Sequence, residues 1–376
     1  MAKGELFPSE LRRERDRVTG VEVLQMTAGA AINHATYFLQ PSFTPDGGTM
    51  LFISNRTGGW QLFAVTEFPG GAIRQLTDGA PIHPFSPAIS RDGAGVFFVR
   101  GAGIWRLEFD TLAETCVVDF GAGSMGEPSL DAVGEWLVAA IKKDGRSGLA
   151  VGRTDGTGWI IIPYPRTVIH PQFHPLEPEW IEFAGDPAPR MHRVRRDGTG
   201  MECLFAHDND YFVVHETFLG QTGNVVYTVW PQALRVMDWR TREHRTICEF
   251  HAWHITPNRD GSKVLCDTNH PDMGIFEIDV ATGERKQICV SEATSGGSQW
   301  KTSRYALAAD FAAARSGAAG GGTLSWMEAG TDTVYGPQWT HPHPSYSPDE
   351  RLVVFASDRT GTTQVYVARV PDWVPD

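Results

Sequence analysis

Gln338, His341 and His343 fall in one short run, Gln-Trp-Thr-His-Pro-His. In an extended chain residues i and i+2 project to the same side, so both imidazoles can reach one ion with the Gln338 amide oxygen as a neighbouring donor. Two imidazoles do not complete a site. His254, which holds the corresponding place before the Asn-Arg-Asp-Gly turn one repeat earlier, is the strongest third ligand, and His270 in Thr-Asn-His-Pro ranks below it. Three imidazoles and an amide leave coordination positions open and suit a divalent ion such as Mn²⁺, with Zn²⁺ and Fe²⁺ as alternatives. The run offers no water-activating carboxylate, which argues against a metal-dependent hydrolase.

More histidines share a register. His34, His83, His170, His215, His254 and His341 mostly stand shortly before turn-forming motifs, a spacing that brings several imidazoles to one inner face. For any one of them alone, the competing reading is a structural hydrogen bond at the turn. Trp60, Trp105 and Trp159 lie in the strand patterns themselves, where an aromatic more often packs in a core than stacks on a sugar.

The elements that must position these residues repeat. A Pro/Asp/Gly turn, a β-rich run, a second turn and another β-rich run recur from Phe43, Ile89, Ser129, His174, Leu219, Ile255 and Tyr346. Asp-Gly turns favour tight hairpins, and the flanking Val, Ile, Phe and Trp suit half-buried strands. Seven meanders at intervals of roughly 40 to 50 residues predict an all-β, seven-bladed β-propeller spanning residues 1–376 as one domain. The segment at about 20–27, Gly-Val-Glu-Val-Leu-Gln-Met-Thr, resembles an outermost strand without a blade of its own. It is expected to complete the last blade beside Gln-Val-Tyr-Val-Ala-Arg-Val and so close the ring. A long insertion at about 291–337, with an Ala-rich stretch that suits a short helix, interrupts the pattern before the last blade.

Composition sets the surroundings. The chain has 376 residues, a formal net charge of −12 and 41% hydrophobic residues, enough for a large core and unfavourable for a nucleic-acid partner. Five scattered cysteines without C-x-x-C spacing point to reduced thiols. A charged N-terminus without an apolar core, and no apolar stretch of about 18 residues, predict a cytoplasmic protein without a membrane span.

Several motifs together resemble the oligogalacturonate lyases of polysaccharide lyase family 22. They are the Q-x-x-H-P-H-P-S-[FY] segment from Gln338, H-E-x-[FW] at His215, H-x-x-x-N-x-D-G at His254, an Arg-Met pair at Arg190, and an opening H-x-x-Y-F-x-Q-x-x-F-T-x-D-G from His34 to Gly47. The resemblance spans nearly the whole chain. It implies a cytoplasmic seven-bladed propeller that cleaves short pectin-derived oligogalacturonides by β-elimination with Mn²⁺. By position it implies His254, Gln338, His341 and His343 as metal ligands, His215 as the base and Arg190 as the charge-stabilising residue. It also implies His34, Tyr37, Gln40 and His170 as inner-face groups that bind sugar hydroxyls or carboxylates.

The residue types suit the reaction. The C5 proton of a 4-linked uronate becomes acidic once the neighbouring carboxylate is neutralised, which a Lewis-acidic metal does. A neutral imidazole is a competent base near neutral pH, and a guanidinium can bind carboxylate in bidentate fashion and stabilise the developing charge. Two segments depart from the family pattern: the insertion at 291–337, and Glu-Phe-Ala-Gly-Asp-Pro-Ala-Pro before Arg190, which lacks a His/Glu-bearing loop. Other readings are a lyase acting on a different uronide or oligosaccharide, and a non-enzymatic propeller like the TolB repeats that serves as a binding platform.

Overall fold

The computed structural model describes residues 2–186, 188–208, 211–268, 271–295 and 337–372. His270, and the Ala-rich stretch expected to form a helix, lie outside them.

The strand-forming runs build seven antiparallel sheets of four or five strands, each a meander whose first strand lies innermost. The inner strands include Asn33–His34, Ser124–Leu130, Thr167–Phe173, Val213–Phe218, Ala252–Pro257 and Ser345–Tyr346. Numbered in chain order, the sheets are blades 1 to 7 of a propeller. A blade exposes two apolar faces, and each is covered by its neighbour. Phe97, Val99 and Ile104 of blade 2 pack on Leu137, Ala139 and Ile141 of blade 3, and Met191 and Leu204 of blade 4 pack on Val213, Val225 and Tyr227 of blade 5. The circuit closes where Val354, Val365 and Val367 of blade 7 meet Phe43, Phe52 and Phe63 of blade 1.

Closure follows the expectation from sequence. The strand Glu22–Gln25 pairs with Gln364–Arg369, with Val23 opposite Ala368 and Gln25 opposite Tyr366. Two further strands were not foreseen. Arg12–Arg15 adds outside Glu22–Gln25, and Leu6–Phe7 pairs with Ile73–Gln75 of blade 1, so the N-terminal segment laces the last blade to the first. All of these Arg12–Arg15 residues are exposed, which leaves no apolar periodicity to announce the strand.

The Asp-Gly turns close the far ends of the inner strands. Asp46 Oδ1 accepts the Gly48 N–H and the Thr44 hydroxyl, and Asp92 Oδ1 does the same for Ala94 and Ser90. Gly47, Gly93, Gly134 and Gly261 have positive φ, whereas Glu350 adopts that conformation in blade 7 at φ 60°. All five cysteines are free. Among the described residues no helix is long and apolar enough to cross a membrane.

Candidate active site and metal centre

A single irregularity repeats in four consecutive inner strands. In blades 3 to 6 the register slips by one residue at Gly126-Glu127, His170-Pro171, His215-Glu216 and Trp253-His254, so that two residues face one on the partner strand. Such bulges re-aim side chains and are common beside active sites. His170, His215 and His343 also sit at φ 54°, 56° and 46°. These are left-handed conformations that non-glycine residues hold only when the surroundings impose them. The strained backbone turns the imidazoles toward the channel.

There they surround Phe38, from the segment that follows the first inner strand. Its ring centroid is 5.3 Å from those of His215 and His254 and 5.5 Å from that of His170. Thr256 Oγ1 ties the Phe38 carbonyl to the Pro344 carbonyl. Tyr37 Oη lies 2.8 Å from His170 Nε2. Above this plug opens a pocket lined by Tyr37, His170, Asp186, Arg190, His215, His254 and Gln338. Burial, reinforced by Glu127, pushes the Tyr37 hydroxyl well above its ordinary value.

Arg190 is buried and held from behind. Its Nε and Nη2 donate to Glu216 at 2.7 and 3.1 Å, and Nη1 donates to Asp186 at 3.3 Å. The bidentate edge expected to grip a substrate carboxylate is therefore engaged by Glu216, and the guanidinium faces the pocket as a fixed positive charge. Burial alone would raise the Glu216 carboxyl, but the Arg190 charge, with the hydrogen bonds Arg190 donates and the nearby His170 ring at 3.8 Å, outweighs it and holds it well below the carboxylate range. Glu182 is also fully buried nearby, and neither of its oxygens has a hydrogen-bond partner among the described residues. Burial, then the charge of Glu216, pushes it well above its usual value, against the opposing effect of Arg190.

The three candidate ligands form one cluster across blades 6 and 7. Ring centroids lie 4.0 Å apart for His254 and His343, 5.4 Å for His254 and His341, and 5.9 Å for His341 and His343. Gln338 is buried in a 3₁₀ turn over Gln338–Thr340, immediately before His341. Among the described residues, no group of three or more His, Cys, Asp or Glu is placed so that it could hold a metal ion as it stands. The fit lies in the chemistry of the set. His343 Nε2 is buried without a hydrogen-bond partner among the described residues. Burial, and then the neighbouring imidazoles, hold His254 and His343 well below the usual histidine range, which leaves them in the neutral form that ligates metals. His215 is depressed in the same way, by burial first and then by His254, His170 and Arg190. Its Nδ1 has no hydrogen-bond partner, and its ring centroid is 4.6 Å from that of His254.

A carboxylate does stand in this cluster, contrary to the expectation from sequence. Asp267 Oδ2 lies 2.7 Å from His254 Nδ1. Burial pushes its carboxyl up to about 7, against the lowering effect of the N–H groups of His254 and His343 that point at it. It sits behind the imidazole and takes up the ring nitrogen, so it is not a base directed at an open coordination position.

Of the inner-face residues, Tyr37 and His170 line the pocket, but Gln40 and His34 do not. Gln40 turns to the other side of the plug, where its Nε2 donates to the Pro128 carbonyl at 2.8 Å, and it lines a separate pocket beside Arg91 and Arg259. His34 stacks on Phe85 at 4.8 Å, edge-on to Trp60, with Nδ1 2.8 Å from the Ala35 carbonyl. It is one ring removed from His343 through Phe85. Trp60 and Trp105 pack against the core between blades 1 and 2, and Trp159 against that between blades 2 and 3. Sequence reasoning missed Asp267, Glu216, Asp186, Glu127 and Trp253. Glu216 alone carried a local signal, as the second residue of the His-Glu pair.

Comparison with known proteins agrees with the family resemblance and with the fold. Residues 1–137 match the family model described as oligogalacturonate lyase. The chain is 24% identical to an oligogalacturonate lyase of Dickeya dadantii (strain 3937), with all of both chains covered. A solved oligogalacturonate lyase in complex with manganese superimposes with a TM-score of 0.81 at 22% identity over 99% of each chain. A second, from Vibrio parahaemolyticus, does so with a TM-score of 0.77 at 20% identity, again over 99% of each. The resemblance read from the motifs is borne out, and the seven-bladed fold is shared.

Proposed function

From this kinship with the oligogalacturonate lyases, we propose that the chain is a metal-dependent lyase that cleaves short oligogalacturonides by β-elimination to 4,5-unsaturated products. The observation that carries the reading is one pocket lined by a buried arginine, a buried neutral imidazole and members of a three-imidazole-plus-amide donor set.

In this reading His254, Gln338, His341 and His343 hold Mn²⁺. When bound, the ion supplies Lewis acidity at the carboxylate beside the reacting carbon. Arg190, fixed by Glu216 and Asp186, presents a positive charge where the enolate-like anion develops, without reorganising as it forms. His215 takes the C5 proton, and its neutral ring is the form able to accept one. The C5–H electron pair becomes the C4–C5 double bond, the C4–O bond breaks, and the departing sugar oxygen takes up a proton. Tyr37 and His170, joined by their hydrogen bond, line the wall where sugar hydroxyls would lie.

The test is ultraviolet absorbance during incubation with di- and trigalacturonate, with Mn²⁺ and then with chelator. The expected result is a chelator-sensitive rise from the conjugated double bond. No rise from protein that retains metal would point to another uronide or another reaction on the same scaffold, and no rise from protein that retains none would favour a binding platform.

A further inference from the structure

We infer that Asp267 is the positioning residue of the metal centre, fixing the tautomer of His254 and tying the candidate ligand of blade 6 to that of blade 7. The inference rests on the assignment of His254 and His343 as ligands.

Asp267 is fully buried, on the strand Lys263–Thr268 that pairs with the bulged inner strand of blade 6. Ala252 faces Thr268 and Ile255 faces Cys266, so Asp267 is the residue opposite the Trp253-His254 bulge. Its Oδ1 accepts the His254 backbone N–H at 2.8 Å. Its Oδ2 lies 2.7 Å from His254 Nδ1 and accepts the His343 backbone N–H at 3.3 Å. Backbone amides only donate, so both carboxylate oxygens act as acceptors. A neutral imidazole has one N–H, and with that proton on Nδ1 facing Asp267 the lone pair is on Nε2, turned away from Asp267. A histidine that donates its second nitrogen to a carboxylate is a recurrent arrangement behind metal ligands.

The fold itself does not ask for a carboxylate here. The residues opposite the matching bulges of blades 3, 4 and 5 are Ala140, Phe183 and Tyr227, and all three pack in the interblade cores. Blade 6 alone of these four places a charge-bearing group at this point, and the Asp267 carboxylate meets the His254 N–H, the His254 ring and the His343 N–H.

Two measurements on metal-free and Mn²⁺-titrated protein test this. Nitrogen-15 NMR of the imidazoles should find His254 with its proton on Nδ1, and the spectrum of Asp267→Asn should show that proton displaced. Mn²⁺ titration followed by the electron paramagnetic resonance of free ion should show affinity reduced about 10- to 100-fold in Asp267→Asn. Asp267→Leu, which imitates the apolar residues of the other blades, should fold and show at least the same loss, and it serves if the asparagine variant does not fold. Unchanged affinity and an unchanged tautomer in a folded variant would overturn the inference while leaving the ligand assignment standing. Failure of the unaltered protein to bind Mn²⁺ would overturn both.

Discussion

The two ends of the inner strands use the same interaction for different purposes. At the turn end, carboxylates accept backbone N–H groups to close a hairpin. Asp46, Asp92, Asp260 and Asp349 each take an N–H two residues on, in or near solvent. At the pocket end, Glu127 and Asp267 accept the N–H groups of His170 and His254 from other strands or other blades, fully out of water. The turn carboxylates hold the chain to its own neighbours, whereas the pocket carboxylates hold a histidine in an aim the chain would not choose. A hydrogen bond made at the surface is worth little when lost, but a buried group deprived of its partner costs far more.

The sharpest way to break the pocket end is to remove a proposed ligand or the base. His341→Ala should lose Mn²⁺ binding and turnover together, by on the order of 10³-fold or more in kcat/KM, with the circular dichroism of the propeller retained. His215→Ala should retain the ion and lose turnover by about 10² to 10⁴, so that a metal titration separates the two variants. Activity without metal in the first, or unchanged turnover in the second, would move the roles elsewhere.

Next in size is Glu216→Ala, which takes from a buried guanidinium its bidentate partner and should destabilise the fold by about 3–5 kcal/mol, measured by denaturant unfolding. The reverse case is Glu182→Leu. That carboxyl is buried without a hydrogen-bond partner, and an apolar replacement should stabilise by about 1–2 kcal/mol. A loss of stability there would mean that Glu182 belongs to the Arg190 network.

The smallest effect belongs to the turn end. The hydroxyls of Thr44 and Ser90 hold Asp46 and Asp92 below their ordinary value, with the N–H groups of Gly48 and Ala94 adding to the effect. A depressed carboxyl stabilises the fold above its unfolded pKa of about 4 and loses that contribution as pH falls through the folded value. Asp92 is largely exposed, so solvent screening limits its share to a few tenths of a kcal/mol. Asp92→Asn should therefore flatten the decline in melting temperature between about pH 5 and 2 only slightly; a large effect would erase the distinction between the two ends.

The same contrast explains what the sequence disclosed. Turns such as Thr-Pro-Asp-Gly are local, so the seven copies and the closing strand at Glu22–Gln25 could be read directly. The imidazoles were found because each recurs at one place in its repeat. Asp267 escaped notice because it lies 13 residues from His254 and 76 from His343, a separation that means nothing until the strands pair. Gln40 stands apart from the pocket for a related reason: Tyr37 and Gln40 are three residues apart, but the chain between them doubles back through a Tyr37 carbonyl to Gln40 N–H bond, and the two side chains line different pockets. The Arg12–Arg15 strand is polar throughout and exposed, so only its partner identifies it.

Among the described residues, the Phe38 plug parts the channel into two chambers. With Tyr37 facing one and Leu39 and Gln40 the other, a sugar chain handled as proposed would enter and leave by the pocket face and would not pass along the axis of the ring.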